Sequence, residues 1–372
     1  MEFRLMCGDA IEELRKLPDR SINTCVTPPP YYGLRDYGTG TWVGGDPNCP
    51  HYRTTKRSDI TATGHRTMME TGHPMGDAIY KTVCPICGAV RVDNQIGLEE
   101  TPEEYINRLV EVFREVKRVL RDDGVLWVNI GDSYNSGGHS RKPDGTIQFS
   151  EKSRVQTTNN GSYAGTFKKG IVSCCKPKDL IGTPWMLAFA LRNDGWYLRQ
   201  DIIWAKNNPM PESVKDRCTR SHEYIFMLTK SKKYYFDHEA MQEDAVRYKK
   251  DKIDMDKQFH GKRENSNEQK PFRAAYKTRN KRDVWNVSVC SSVKEAHFAV
   301  FPKELIEPCV LAGCPEDGWV LDPFSGSGTT GIVAMNNGRN YVGVDLNPEY
   351  IEITKRRVSK ECTNVSIVEN GQ

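Results

Sequence analysis

Val320-Leu321-Asp322-Pro323-Phe324-Ser325-Gly326-Ser327-Gly328-Thr329-Thr330-Gly331 runs from apolar residues through small ones into a helix-forming stretch. Small residues at such a strand-to-helix turn let a ligand approach the backbone N–H groups where the helix begins. Gly326, Gly328 and Gly331 satisfy the GxGxxG spacing. The next apolar run ends at Asp345, placed to accept hydrogen bonds from both hydroxyls of a ribose. A nucleoside-bearing cofactor fits this pair of features, against the plainer reading of a glycine turn that closes a strand–helix unit. NAD suits the pattern equally. However, only 41 residues follow Gly331, too few for the remaining strands of a dinucleotide domain, so the strands completing the sheet must come from earlier in the chain.

A second group of residues has the chemistry of a metal site. Cys49-Pro50-His51 and Cys84-Pro85-Ile86-Cys87 offer three thiolates and one imidazole on two short turns, a Cys₃His set suited to tetrahedral zinc. A closed ligand set implies a structural ion, which would staple the 48-residue segment 46–93. His65 and His73 lie in the same segment as alternatives to His51. A redox CxxC is the rival reading, but it lacks a thioredoxin-like context.

The third is Thr27-Pro28-Pro29-Pro30-Tyr31. Consecutive prolines stiffen a turn and leave its carbonyls free, since proline has no N–H of its own. Taken alone, the run reads as a rigid connector.

The elements that must hold these residues alternate. Strands are expected at 3–6, 22–26, 125–130, 197–204, 319–321, 341–344 and 365–368, and helices at 10–17, 183–191, 302–311, 329–335 and 348–358. Thr101, Pro102 and Glu104 form a capping box that opens a long helix. Its apolar stripe is Ile106, Leu109, Val110, Phe113, Val116 and Leu120, and Gly124 is expected to stop it. This alternation predicts an α/β fold, a doubly wound and mostly parallel sheet with ligands beyond the carboxyl ends of its strands.

Composition narrows the class. With 372 residues, 37% hydrophobic and 27% charged, the chain fits a soluble globular protein and neither a disordered nor a membrane-embedded one. No signal peptide or run of eighteen apolar residues is present, so the cytoplasm is expected and no membrane partner. The net charge of +4 is unevenly spread. Residues 247–282 carry 13 Lys and Arg against 5 Asp and Glu, and residues 135–178 carry 8 against 2. A basic run is most often a solvated face. Two of them, both without helix or strand periodicity, favour a polyanion partner.

The segment from Asp322 to Thr330, with Asp345, resembles the S-adenosylmethionine loop and ribose acid of amino-group DNA methyltransferases. Thr27-Pro28-Pro29-Pro30-Tyr31 resembles their catalytic (Asp/Asn/Ser)-Pro-Pro-Tyr motif. The order, catalytic motif first and cofactor loop last, is that of the permuted β class. Further likeness, to phage and prophage members in particular, lies in Asp201-Ile202-Ile203-Trp204-Ala205-Lys206 and Ser221-His222-Glu223-Tyr224.

The resemblance implies a circularly permuted Rossmann-like methyltransferase that transfers a methyl group from S-adenosylmethionine to an exocyclic amino group of a flipped base. Its implied cofactor residues are Asp9 in the Gly8-Asp9 turn, Phe301, Pro302 and Lys303 within the segment 297–305, then Asp322, Phe324, Ser325, Gly326, Ser327, Gly328, Thr329 and Asp345. Its implied catalytic residues are Thr27, Pro28, Pro29, Pro30 and Tyr31, with the Pro29 carbonyl as hydrogen-bond acceptor and Tyr31 stacked on the base. Pro28 departs from the motif, because no side chain there accepts a hydrogen bond. Thr27, Asp9 or a water is then the substitute, unless backbone carbonyls suffice or the enzyme is slow or inactive. The Thr-x-Pro-Pro-Tyr form favours N4 of cytosine over N6 of adenine.

The implied division is a core at 1–45, 94–134, 179–240 and 287–372, a zinc-binding insertion at 46–93, a basic loop at 135–178 and a target-recognition region at 241–286. DNA contacts are expected from Arg35, Lys262, Arg263, Arg273, Lys277 and Arg279, with Asn265 and Gln269 as further base readers. A cognate restriction endonuclease and a second copy of the chain are the other partners left open. The rivals are an NAD-dependent oxidoreductase and a DNA-binding protein whose transferase site is dead. Carbon-5 cytosine methylation would need a cysteine after the cofactor loop. Pro308-Cys309 precedes that loop in an apolar helical run and reads as buried and structural.

Overall fold

The computed structural model describes residues 1–33, 39–51, 82–135, 174–244, 278–289, 301–363 and 365–369. Among them the central element is a nine-stranded sheet of order β10-β6-β7-β5-β2-β11-β12-β1-β13. From the middle to one edge the strands β5 (Leu120–Ile130), β2 (Ile22–Thr27), β11 (Trp319–Asp322), β12 (Asn340–Asp345), β1 (Glu2–Cys7) and β13 (Ser366–Glu369) are all parallel. At the other side β7 (His222–Thr229) runs antiparallel to both β5 and β6 (Tyr197–Ala205), and β10 (Val284–Asn286) lies parallel to β6. Two antiparallel pairs stand apart: β3 (Thr41–Val43) with β4 (Val90–Val92), and β8 (Gln242–Asp244) with β9 (Thr278–Asn280).

Helices cover both faces, because the parallel strands are apolar on both sides and need apolar helix surface against each. Leu14 of α1 (Ala10–Arg15), Leu109, Phe113 and Val116 of α2 (Pro102–Val119) and Leu187 and Leu191 of α3 (Thr183–Asn193) share one core with Leu126, Val128 and Phe226. Leu305 and Val310 of α4 (Lys303–Gly313), Ile332 of α5 (Thr329–Asn336) and Ile351 and Val358 of α6 (Pro348–Glu361) pack with Phe3, Val125 and Ile225 on the other face. The capping box at Thr101 is formed: its hydroxyl accepts from the Glu104 N–H at 3.2 Å, and the Glu104 carboxylate accepts from the Thr101 N–H at 3.2 Å.

Several expectations need correction. Gly124 does not stop α2. The helix closes at Val119, because Leu120 is extended (φ −64°, ψ 140°) and already pairs with Ile22 at the start of β5. Gly124 lies inside that strand, where the register against β2 shifts and a Cβ would meet the Asn23 carbonyl at 3.1 Å. The run His222–Thr229 is a central strand that the sequence reading did not separate from its surroundings. Cys309 is fully buried in α4, and burial pushes its thiol pKa up, as a structural cysteine requires. Among the described residues no helix is long and apolar enough to cross a membrane.

Candidate active site

Parallel strands deliver their carboxyl ends to one edge of a sheet, and here that edge collects the chemistry-bearing residues. The Val320↔Thr24 and Leu321↔Cys25 pairing sets the loop after β11 beside the turn after β2. Asp345 ends β12 opposite Cys7 of β1, so the Gly8-Asp9 turn follows directly, and the Gly8 N–H donates to the Asp345 carbonyl at 3.0 Å.

The two halves meet at Asp322. Its fully buried carboxylate accepts from the Thr27 hydroxyl at 2.6 Å, the Thr330 hydroxyl at 2.7 Å and the Phe324 N–H at 3.0 Å. Burial pushes its pKa up to about 6, and those three donors hold it from rising further. The Thr27 hydroxyl proton is thus committed to Asp322. Asp9, the other side chain weighed as a stand-in for the acceptor missing at Pro28, caps α1 by accepting from the Ile11 and Glu12 N–H groups at 2.9 and 3.2 Å.

The glycine loop is shaped by backbone geometry. Gly326 and Gly328 have φ of 52° and 75°, in the left-handed region that side chains disfavour, and Gly328 precedes α5 without any side-chain cap. Gly326 donates its N–H to Asp345 at 2.7 Å, and Asn347 donates to the other carboxylate oxygen at 2.8 Å. Burial pushes the Asp345 pKa up to about 7, against the pull of those two N–H groups. From outside, the Arg357 guanidinium on α6 donates to the Ser327 carbonyl at 2.8 Å, the Ser327 hydroxyl at 2.7 Å and the Thr329 hydroxyl at 3.2 Å. Glu361 holds Arg357 at 3.2 Å and also binds Lys303, while Pro302 precedes α4 and Phe301 is buried beside the same core. Lys303 therefore reaches the loop through Glu361 and Arg357. Ser325 binds the Tyr341 hydroxyl at 2.8 Å.

On the turn after β2, the Pro30 carbonyl accepts from the Tyr105 hydroxyl at 2.9 Å. Tyr31 donates its hydroxyl to Glu223 at 2.6 Å. Tyr105, Glu223, Arg357 and Thr330 were not singled out in the sequence. Thr330 lay within the glycine segment and Glu223 within Ser221-His222-Glu223-Tyr224, but nothing in their spacing assigned them partners.

Cys49, His51, Cys84 and Cys87 come together with ligand atoms all within 4.8 Å of one another. Cys49 and Cys84 sulfurs are 3.7 Å apart, and the Cys87 sulfur is 3.5 Å from His51 Nδ1. The Trp42 ring stacks on His51 with centroids 4.5 Å apart. His65 and His73 lie outside the described residues, as do Arg35, Lys262, Arg263, Asn265, Gln269, Arg273 and Lys277. Arg279 is described: it shares the Glu243 carboxylate with Arg282, at 2.8 and 2.9 Å.

The family model described as DNA methylase, of the N6/N4 methyltransferase type, matches residues 22–356. The Type II methyltransferase M.Cfr9I of Citrobacter freundii is 42% identical, over 96% of this chain and 88% of that protein. The Type II methyltransferase M.SmaI of Serratia marcescens is 39% identical, over 95% and 90%. The solved structure of the cytosine-N4-specific PvuII DNA methyltransferase shares the fold, with a TM-score of 0.52 at 15% identity over 96% of this chain and 86% of that one. The chain belongs to the N6/N4 DNA methylase family. It is an S-adenosylmethionine-dependent DNA methyltransferase of the N4-cytosine or N6-adenine type, and the oxidoreductase reading is set aside.

Proposed function

We propose that this enzyme methylates N4 of cytosine within a specific duplex sequence, through a site formed where the catalytic turn meets the cofactor loop. The observation that carries the shared site is the Thr27–Asp322 hydrogen bond, which joins the two motifs on one sheet edge, and the choice of cytosine is supported by the Thr-x-Pro-Pro-Tyr form of the turn. The cofactor half fits the ligand: left-handed glycines bare the backbone of the loop, and Asp345 keeps a carboxylate at the strand end where a ribose diol is held. Asp9, Phe301, Pro302, Lys303 and Phe324 complete the proposed set. S-adenosylmethionine supplies, when bound, an electrophilic methyl group on a sulfonium.

The chain's own contribution is orientation. The amino nitrogen of cytosine is a poor nucleophile because its lone pair is delocalised into the ring. An acceptor that engages one N–H turns that pair out of the plane without any covalent intermediate. The Pro29 carbonyl takes this role. Its neighbour at Pro30 is already bound by Tyr105, whereas among the described residues no donor reaches Pro29. The Pro29 carbonyl thereby supplies the acceptor that the Pro28 side chain lacks, while Thr27 donates its hydroxyl proton to Asp322 and Asp9 caps α1 through one carboxylate oxygen. Tyr31 offers its ring face to the flipped base. The strand order, with the turn of β2 preceding the loop of β11 in the chain, supports the permuted class.

The Cys49, His51, Cys84 and Cys87 cluster is proposed to hold one structural zinc that staples the segment 46–93. Zn–S bonds of about 2.3 Å and Zn–N bonds of about 2.0 Å give tetrahedral edges of roughly 3.8 and roughly 3.5 Å. Two of the separations in the cluster, Cys49 to Cys84 and Cys87 to His51, are 3.7 and 3.5 Å, and all lie within 4.8 Å. The basic segments 135–178 and 241–286 are proposed to neutralise DNA phosphates, with a cognate restriction endonuclease as the functional counterpart.

The test is to incubate the protein with S-adenosylmethionine and unmethylated duplex DNA, digest the product to nucleosides and separate them by mass. N4-methylcytosine is expected. N6-methyladenine would overturn the choice of base, and no methylated nucleoside at any salt concentration would favour a DNA-binding protein with a dead site.

A further inference from the structure

The ring of Tyr31 stands on a loop, yet each group that fixes it lies on a strand of the sheet or one residue past its end. Its hydroxyl donates to Glu223 Oε2 at 2.6 Å. That same oxygen accepts from Asn129 Nδ2 of β5 at 3.3 Å, and Asn129 also donates to the Tyr224 carbonyl at 3.1 Å. The other Glu223 oxygen accepts from Lys206, one residue past the end of β6. The Glu223 side chain is 12% exposed, so its charge is held largely out of water and needs these donors. Against the ring edge lies Gly131: a Cβ there would meet Tyr31 Cε2 at 2.7 Å and Glu223 Cδ at 3.3 Å.

Resting on the transferase reading above, we infer that Glu223 is the positioning residue for Tyr31, anchoring its hydroxyl so that only the ring face is offered to the target base. A carboxylate is required because three donors converge on two oxygens. A glutamine would turn its NH₂ group toward one of them. Burial, and then the Glu223 charge, push the Tyr31 pKa upward, which keeps the phenol protonated as the donor in this contact. A residue that acts through another leaves cofactor binding alone and slows the chemical step, because small misplacements of a reacting base are costly.

The experiment compares wild type, Glu223→Gln, Tyr31→Phe and the double variant. Single-turnover methyl transfer, cofactor affinity and the fluorescence of 2-aminopurine at the target position are measured for each. Expected for Glu223→Gln are an unchanged cofactor Kd, a fall in kcat of about 10- to 100-fold, and weaker quenching of the extruded 2-aminopurine. Tyr31→Phe should reproduce these effects while leaving the Glu223–Lys206 pair intact, so it reads the same hydrogen bond even where Glu223→Gln fails to fold. The double variant should be no slower than the slower single one. Wild-type kcat in either single variant, or losses that multiply in the double, would overturn the inference while leaving the transferase reading in place. Absence of transfer by the wild-type protein would overturn both.

Discussion

The Thr27 hydroxyl and the Asp322 carboxylate, 295 positions apart in the chain, are 2.6 Å apart in the fold. This bond crosses from β2 to β11, and it ties the turn proposed to orient the base to the loop proposed to hold the methyl donor. Asp322 has two further donors, yet neither comes from the catalytic turn.

Thr27→Val should therefore weaken the junction while preserving side-chain shape. A fully buried carboxylate that loses one of three hydrogen bonds costs about 1–3 kcal/mol. Urea unfolding should show that loss, with kcat lowered more than the KM for S-adenosylmethionine.

Both acids at this edge have raised pKa values, Asp322 to about 6 and Asp345 to about 7, from the usual 3.8. Each folded form binds its proton more tightly than the unfolded chain. The stability they contribute is thus fully present below about pH 3.8 and is lost as pH climbs through 6 and 7. Asparagine at 345 does not titrate. The stability deficit of Asp345→Asn relative to wild type should shrink between pH 5 and pH 8 in denaturant titrations, and a widening gap would contradict the assignment.

Gly131→Ala tests the room left for Tyr31. The added methyl would lie 2.7 Å from the ring, so the ring must move or the strand end must shift. Overpacking of this kind costs roughly 1–3 kcal/mol. Transfer should fall at least about 10-fold with cofactor affinity preserved, as measured by calorimetric titration and single-turnover assay.

Metal analysis of the purified protein should find one zinc per chain. Cys84→Ser, or a strong chelator, should remove it and open the segment 46–93 to proteolysis before the core unfolds, since ligand binding and folding of such a segment are coupled. Intact zinc content in Cys84→Ser would refute the ligand set.

Much of this was legible in the sequence because the relevant signals are local. The capping box at Thr101, the glycines of the cofactor loop and the apolar strands that end at Asp322 and Asp345 each depend on neighbours a few residues away, and all formed within a residue or two of expectation. What remained hidden depends on pairings between distant segments. Leu120 continues the apolar stripe of α2, yet it starts β5, because its extended backbone finds Ile22 as a partner. His222–Thr229 lacks the turn signals that mark a strand, and its place between β5 and β6 comes from sheet pairing. Glu223 was legible as part of a motif but not as the partner of Tyr31, since 192 positions separate them.

One edge of the sheet must hold both donor and base for transfer to occur. Its most direct test is transfer of tritium from labelled S-adenosylmethionine to duplex DNA by wild type, Asp345→Asn and Tyr31→Ala, with KM measured separately for cofactor and DNA. Wild type should transfer the label, Asp345→Asn should raise the KM for cofactor alone, and Tyr31→Ala should impair transfer with the cofactor KM unchanged. Equal transfer by all three proteins would contradict the claim.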